Sequence, residues 1–328
     1  MSITFSTLMN LNDVSEAKET LRASITPTAL VHSNFFSQMC SAEVYLKLEN
    51  SQVTNSFKIR GALNKMLHLT KEDMSRGVVT ASAGNHAQAV AIGAEKLKIT
   101  AKIIVPRTTP AIKINKIRMH NVQPILYGNT FDEAERKAID LAKEEGTTYV
   151  SAYNDRYVIA GQGTVGLEIL DSLPNVTMVI VPVGSGGLIS GIGLAIKSSK
   201  SAVRIIGVQS EASPVMYESL KSGKIVDIEM HESIADGLHG GIEKGSMTFS
   251  MVQMYVDDLW LVKEKTIRKA IYLLWKEEKQ IVEGSGAIAI APILENKHTF
   301  VGETVAAVIS GGNIDDRIFQ NIIDSEGN

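Results

Sequence analysis

Lys58 heads a helical stretch in SQVTNSFKIRGALNKM, between Phe57 and Ile59. Helix N-termini favour acidic over basic side chains, so a lysine between apolar neighbours at such a place is a candidate for burial. Burial disfavours the ammonium form and lowers its pKa, which is what an amine nucleophile requires; the competing reading is a solvated surface charge. In VVTASAGNHAQAVAIGA, residues Ser82, Gly84 and Asn85 form a tight turn whose free N–H groups suit an anion such as a carboxylate. Plain capping by Ser or Asn explains that turn equally, and His86 reads as well as a packed helix residue. In VIVPVGSGGLISGIG a strand runs into Gly184, Ser185, Gly186 and Gly187 and then a helix, a geometry that suits phosphate. It is neither the dinucleotide fingerprint nor a P-loop, because no Gly-Lys-Ser/Thr follows. Ser310 ends the last clear strand in AAVISGGNIDD, where it either closes a turn or meets a ligand. A phosphate cradle and a nucleophilic amine in one chain suit a phosphorylated aldehyde.

The elements that must position these turns alternate along the chain. Strands are predicted at 45–48, 77–81, 101–105, 122–126, 148–152, 178–183, 204–209 and 305–309, and helices at 56–68, 86–97, 132–145, 160–172, 188–197 and 265–279. Near-continuous apolar strands such as MVIVPV belong to parallel sheets covered by helices, and this alternation predicts a doubly wound α/β architecture. Ligands of such sheets sit at the carboxyl ends of strands, where the turns above fall. Segment 210–258, with Pro214, Gly223, Gly237, Gly240, Gly241 and Gly245, reads as connecting structure near a site. At 328 residues and 44% hydrophobic the chain has material for a sizeable core, in two lobes or one large unit. With 33 basic and 36 acidic residues its net charge is −3, without blocks of like charge, which argues against nucleic acid as a main partner. A lone cysteine, Cys40, forms no internal disulfide; it reads as a buried small hydrophobe in a reducing compartment. The first 21 residues lack a signal peptide's basic start and apolar run, and no stretch approaches the roughly 20 apolar residues of a membrane span. A soluble, cytoplasmic protein is expected. Trp260 and Trp275 are expected in the core or at an interface.

Taken in order, KLENSQVTNSFKIRGA, SAGNHAQA, AGQGTVGLEI, VPVGSGGLISG, IADG, VEGSGA and SGGN span residues 46–313. This set resembles the fold-type II pyridoxal-phosphate enzymes, which are similar to the tryptophan synthase β chain, and within them the serine/threonine dehydratase branch that includes serine racemases. The resemblance implies two open, twisted, mostly parallel sheets: a large lobe from residues 1–69 and 154–328 and a small lobe from 70–153, with pyridoxal 5′-phosphate in the cleft. It implies that Lys58 forms the Schiff base, Phe57 backs the pyridine ring, Asn85 bonds the ring hydroxyl, and Ser310 faces the ring nitrogen. Gly184, Ser185, Gly186 and Gly187 would hold the phosphate, and Ser82, Ala83, Gly84, Asn85 and His86 the substrate carboxylate. Asp236, Gly237 and Glu283 either border the cleft or serve structure. The implied reaction eliminates water from serine or threonine to give a 2-oxo acid and ammonia. An uncharged Ser310 fits it, because elimination needs a less persistent carbanion than transamination does.

Three departures from the branch matter. The phosphate loop reads Gly-Ser-Gly-Gly in place of four glycines, tolerable if Ser185 needs no positive φ. Ala83 replaces the serine that racemases use to protonate the opposite face, so racemisation is expected to be weak or absent. Metal-dependent members carry a second carboxylate near Glu211, but Tyr217 falls at that place, which puts divalent metal activation in doubt. Beside the dehydratase stand a serine racemase, a lyase for another β-hydroxy amino acid such as 3-hydroxyaspartate, and a non-catalytic cofactor- or amino-acid-binding protein. The chain leaves no room for a C-terminal regulatory domain on this reading, and the branch implies a dimer or tetramer.

Overall fold

The computed structural model describes residues 9–327. The first eight residues, part of the stretch read as lacking a signal peptide, and residue 328 lie outside the described residues. The strands are β1 (Leu30–His32), β2 (Glu43–Leu48), β3 (Val78–Ala81), β4 (Ala101–Val105), β5 (Ile125–Leu126), β6 (Thr148–Tyr149), β7 (Met178–Pro182), β8 (Arg204–Ser210), β9 (Asp258–Val262) and β10 (Thr304–Ile309). They form a six-stranded sheet in the order β1-β2-β10-β7-β8-β9 and a four-stranded sheet in the order β5-β4-β3-β6. Among the strands of the described residues, β1 against β2 is the one antiparallel pair, and the other strand pairs are parallel. The doubly wound prediction holds, as two sheets.

The apolar strands are explained by burial on both faces. All five residues of β7 are buried. Met178 and Ile180 enter the core shared with Ile271 and Leu274, while Val179 and Val181 enter the core on the other face with Ile189 and Ile192, as the two-residue period of a strand requires. Cys40 lies buried in the first of these cores. Trp260 packs edge-to-face on Phe300, whereas Trp275, expected in the core or at an interface, is exposed beside Tyr272 and Phe319.

Some boundaries differ from the sequence reading for local reasons. The strand expected at 122–126 is only β5, an exposed edge, because Val122 follows the left-handed Asn121 (φ 58°) into the core beside Ile103 and Ile117. The strand expected at 148–152 ends early: after Val150 N–H donates to Val79 O, the Ser151 hydroxyl takes the N–H groups of Tyr153 and Asn154 and curls the chain. The helix expected from 56 starts at Lys58, since Ser56 pairs with Gly311. Edge strands β1 and β9 were not predicted. Segment 210–258 does wrap the glycine turn, but it also contains helices Val215–Ser222 and Met247–Tyr255.

The Lys58–Leu67 helix is anchored by a buried ion network two residues beyond its head. The fully buried Arg60 holds Glu49 through Nε at 2.7 Å and Nη2 at 2.9 Å, and Glu168 through Nη1 at 2.6 Å and Nη2 at 2.9 Å. Lys47 completes it, with Nζ 2.5 Å from Glu168. A buried guanidinium tolerates this site only because both carboxylates meet it in bidentate geometry.

Candidate active site

The four turns singled out in the sequence meet at the carboxyl ends of the strands. Lys58 Nζ donates to Ala152 O at 3.0 Å. The next residue, Tyr153, packs its Cα against Gly187, where an added Cβ would lie 2.9 Å away. On the other side of the glycine turn, Leu238 closes on Gly184, and Gly237 N–H donates to Ser285 Oγ at 2.9 Å. Ser285 O accepts the Ser310 hydroxyl at 3.0 Å, and Ser310 O accepts the Phe57 N–H at 3.1 Å, one residue from Lys58. The contacts close into a ring that joins these turns.

Burial pushes the Lys58 amine down to about 8, and the charge of Glu283 opposes that fall. Near neutral pH an appreciable fraction is therefore unprotonated, as a nucleophile requires. The Phe57 ring centroid lies 5.2 Å from Nζ. The glycine turn leads into helix Gly187–Ser199, whose first internal bond is Ser190 N–H to Gly186 O, so the amides before it have no helical acceptor. Gly186 stands at φ +92°, a conformation that a side chain strains. Ser185 is not in that region, so its departure from four glycines is accommodated. Its hydroxyl donates to Gly241 O at 2.9 Å and its carbonyl accepts Thr248 Oγ1 at 2.7 Å; the hydroxyl ties the turn to its neighbour rather than standing free for a ligand.

The Ser82–His86 turn opens helix Asn85–Leu97, with Gly84 N–H on Ser82 Oγ at 3.2 Å. His86 is buried, with Nε2 3.0 Å from Val150 O and Nδ1 unpartnered. Desolvation, then the Lys58 charge, depress it to about 3, so the ring is neutral and turned inward; only its backbone is available to a carboxylate. Asn85 Nδ2 donates to Glu283 Oε1 at 2.7 Å. Burial, followed by the charge of Asp236, raises Glu283 to about 7. Asp236 itself is exposed and paired with Lys113 at 2.9 Å. Among the described residues no three His, Cys, Asp or Glu side chains are grouped to hold a metal, and Glu211 is no exception. The sequence reading assigns no role to Ser285 or Asn313, which join the turns; both lie inside quoted motifs, but nothing local marks a residue whose partner is a distant carbonyl.

The residues fit the cofactor the resemblance implies. A bare amide cradle at a helix N-terminus suits its phosphate, an amine of lowered pKa suits its aldehyde, and an aromatic ring stands beside that amine. Two helix-covered parallel sheets meeting at such a cleft define the fold-type II architecture. The chain belongs to the pyridoxal-phosphate-dependent enzyme family, whose model matches residues 21–311. It is 47% identical to an L-threonine ammonia-lyase of Thermotoga maritima over 96% of this chain and 78% of that one. It is 41% identical to the catabolic L-threonine dehydratase TdcB of Escherichia coli K12 over 96% of each. The structure of maize serine racemase superposes with a TM-score of 0.90 at 32% identity, covering 96% of this chain and 97% of that one.

Proposed function

We propose that the chain is an ammonia-lyase that removes water from L-threonine and L-serine, releasing a 2-oxo acid and ammonia. The observation that carries this is Lys58, an amine depressed to about 8 and held on Ala152 O one residue from the glycine cradle. Pyridoxal phosphate, when bound, supplies an electron sink for negative charge developing at the substrate's α-carbon. With the cofactor bound, Lys58 Nζ would take the α-proton, and a proton would go to the departing β-hydroxyl so that it leaves as water. The amides of Gly184–Gly187 would hold the phosphate, and those of the Ser82–His86 turn would hold the substrate carboxylate. Asn85 would bond the ring hydroxyl. Ser310, buried and uncharged, would face the ring nitrogen without stabilising a full pyridinium. Ala83 offers no proton to the opposite face, which favours elimination over racemisation, and the names of the curated relatives point to threonine. The lobes divide near residues 70 and 153, and the enzyme works in the cytoplasm as a homo-oligomer; no helix among the described residues is long and apolar enough to cross a membrane.

The test is a panel of L- and D-threonine, L- and D-serine and 3-hydroxyaspartate, assayed for 2-oxo acid and for change of optical hand. L-Threonine is expected to be turned over best with no D-product. Formation of D-serine faster than pyruvate would make the chain a racemase instead.

A further inference from the structure

Glu283 is only 7% exposed, and no basic side chain among the described residues bonds its carboxyl group. Its Oε1 accepts a hydrogen bond from Asn85 Nδ2 at 2.7 Å. The other end of the Asn85 carboxamide is also committed, because Oδ1 accepts from Asn313 Nδ2 at 2.8 Å, and that nitrogen also donates to Thr54 O at 2.8 Å. A carboxamide nitrogen carries two hydrogens. Glu283 takes one, and the second is left for a ligand in the cleft.

The carboxyl group has little freedom to swing away. Glu283 N–H donates to Gly311 O at 3.2 Å, and Oε1 lies 2.3 Å from where a Cβ on residue 311 would stand. Gly311 is therefore required for this close approach. The charges that face Glu283 come from three other elements: Asp236 on its turn, Lys113 and Lys116 on helix Ala111–Arg118, and Lys58. None of them bonds it, and Lys113 is occupied by Asp236. A buried acid whose one side-chain bond goes to a cofactor-facing amide is poorly explained by stability, since burial of such a group is unfavourable on its own.

We propose that Glu283 is a positioning residue for the cofactor: it fixes the Asn85 carboxamide so that the second Nδ2 hydrogen meets the ring hydroxyl of pyridoxal phosphate. This rests on the pyridoxal-phosphate reading above and on the place given there to Asn85. Without Glu283 the amide is held at one end only, and its donor can turn to water.

The experiment is a double-mutant cycle on the dissociation constant for pyridoxal phosphate, measured by equilibrium dialysis, with the visible spectrum of the loaded protein recorded alongside. Glu283→Ala and Asn85→Ala are each expected to weaken binding about tenfold, the value of one lost hydrogen bond, and to shift the absorption of the bound coenzyme. The double variant is expected to bind no more weakly than Asn85→Ala alone, because Glu283 acts through Asn85. Glu283→Gln, whose amide oxygen still accepts from Asn85, is expected to stay within about threefold of wild type. If the alanine variant does not fold, Glu283→Met fills the same volume without an acceptor and enters the same cycle. The proposal is overturned by an unchanged constant and spectrum in Glu283→Ala, or by a full further loss in the Asn85→Ala background. A wild-type chain that binds no pyridoxal phosphate would defeat the cofactor reading itself, whereas normal wild-type binding with an additive cycle defeats only the role of Glu283.

Discussion

Consider Glu283→Gln in the chain freed of cofactor. The carboxyl group titrates near 4.5 when solvated and at about 7 in the fold, because burial and Asp236 outweigh the Asn85 bond and the two lysines opposite. Between those values the folded chain keeps a proton that the unfolded chain has released, so stability falls as pH rises. The contribution is fully present below about 4.5 and lost as pH passes 7. At 1.36 kcal/mol per pH unit, the loss is about 3 kcal/mol. Groups whose pKa the fold lowers act in the opposite sense, Glu168 and Lys47 among them. His86, depressed from 6.5 to about 3, makes stability rise through the acid range, and Lys58, lowered from 10.5 to about 8, makes it rise above 8. The wild-type profile sums all of these shifts, so the informative quantity is the difference between variant and wild type. Urea unfolding at a series of pH values with a common m-value is expected to show the variant gaining about 3 kcal/mol on wild type from pH 4.5 to pH 8. A difference that does not change with pH would refute the assignment of a buried, proton-holding Glu283.

Other consequences follow from the same geometry. Ser310→Asp places a carboxylate against the Ser285 carbonyl in a buried site and is expected to lower the elimination rate about tenfold or more; an unchanged rate would refute the case for an uncharged hydroxyl. Gly186→Ala forces a side chain into φ +92° with Met216 Cε 2.9 Å away, and should lose about 1–2 kcal/mol in urea unfolding, whereas Ser185→Gly should stay within about 1 kcal/mol of wild type. Arg60→Leu leaves Glu49 and Glu168 buried without their guanidinium and should destabilise the chain by about 3–5 kcal/mol, measured the same way.

What was legible in the sequence divides by the range of the interactions involved. Strand β4 is legible to its last residue because the apolar Ile103–Val105 run ends at Pro106. The glycine turn and the Lys58 helix were legible for the same local reason. Strand β9 was not, because DLWLV is an edge with one face half open and follows an irregular segment. Strand β1, three residues long, has no period to read. At the site, the types of Lys58, Asn85 and Ser310 showed what each could do. The contacts that bring them together did not appear, because they run through backbone carbonyls far away in the chain: Lys58 to Ala152 across 94 positions, and Asn313 to Thr54 across 259. The orientation of His86 was hidden likewise, being set by Val150 O.

Whether the Lys58 amine carries the cofactor is decided by borohydride reduction of the purified protein followed by peptide mass analysis. Loss of visible absorption and one phosphopyridoxyl adduct are expected, on the peptide containing Lys58, with Lys58→Ala folded, inactive and unlabelled. An active protein that carries the adduct on another lysine, or none at all, would contradict that attachment.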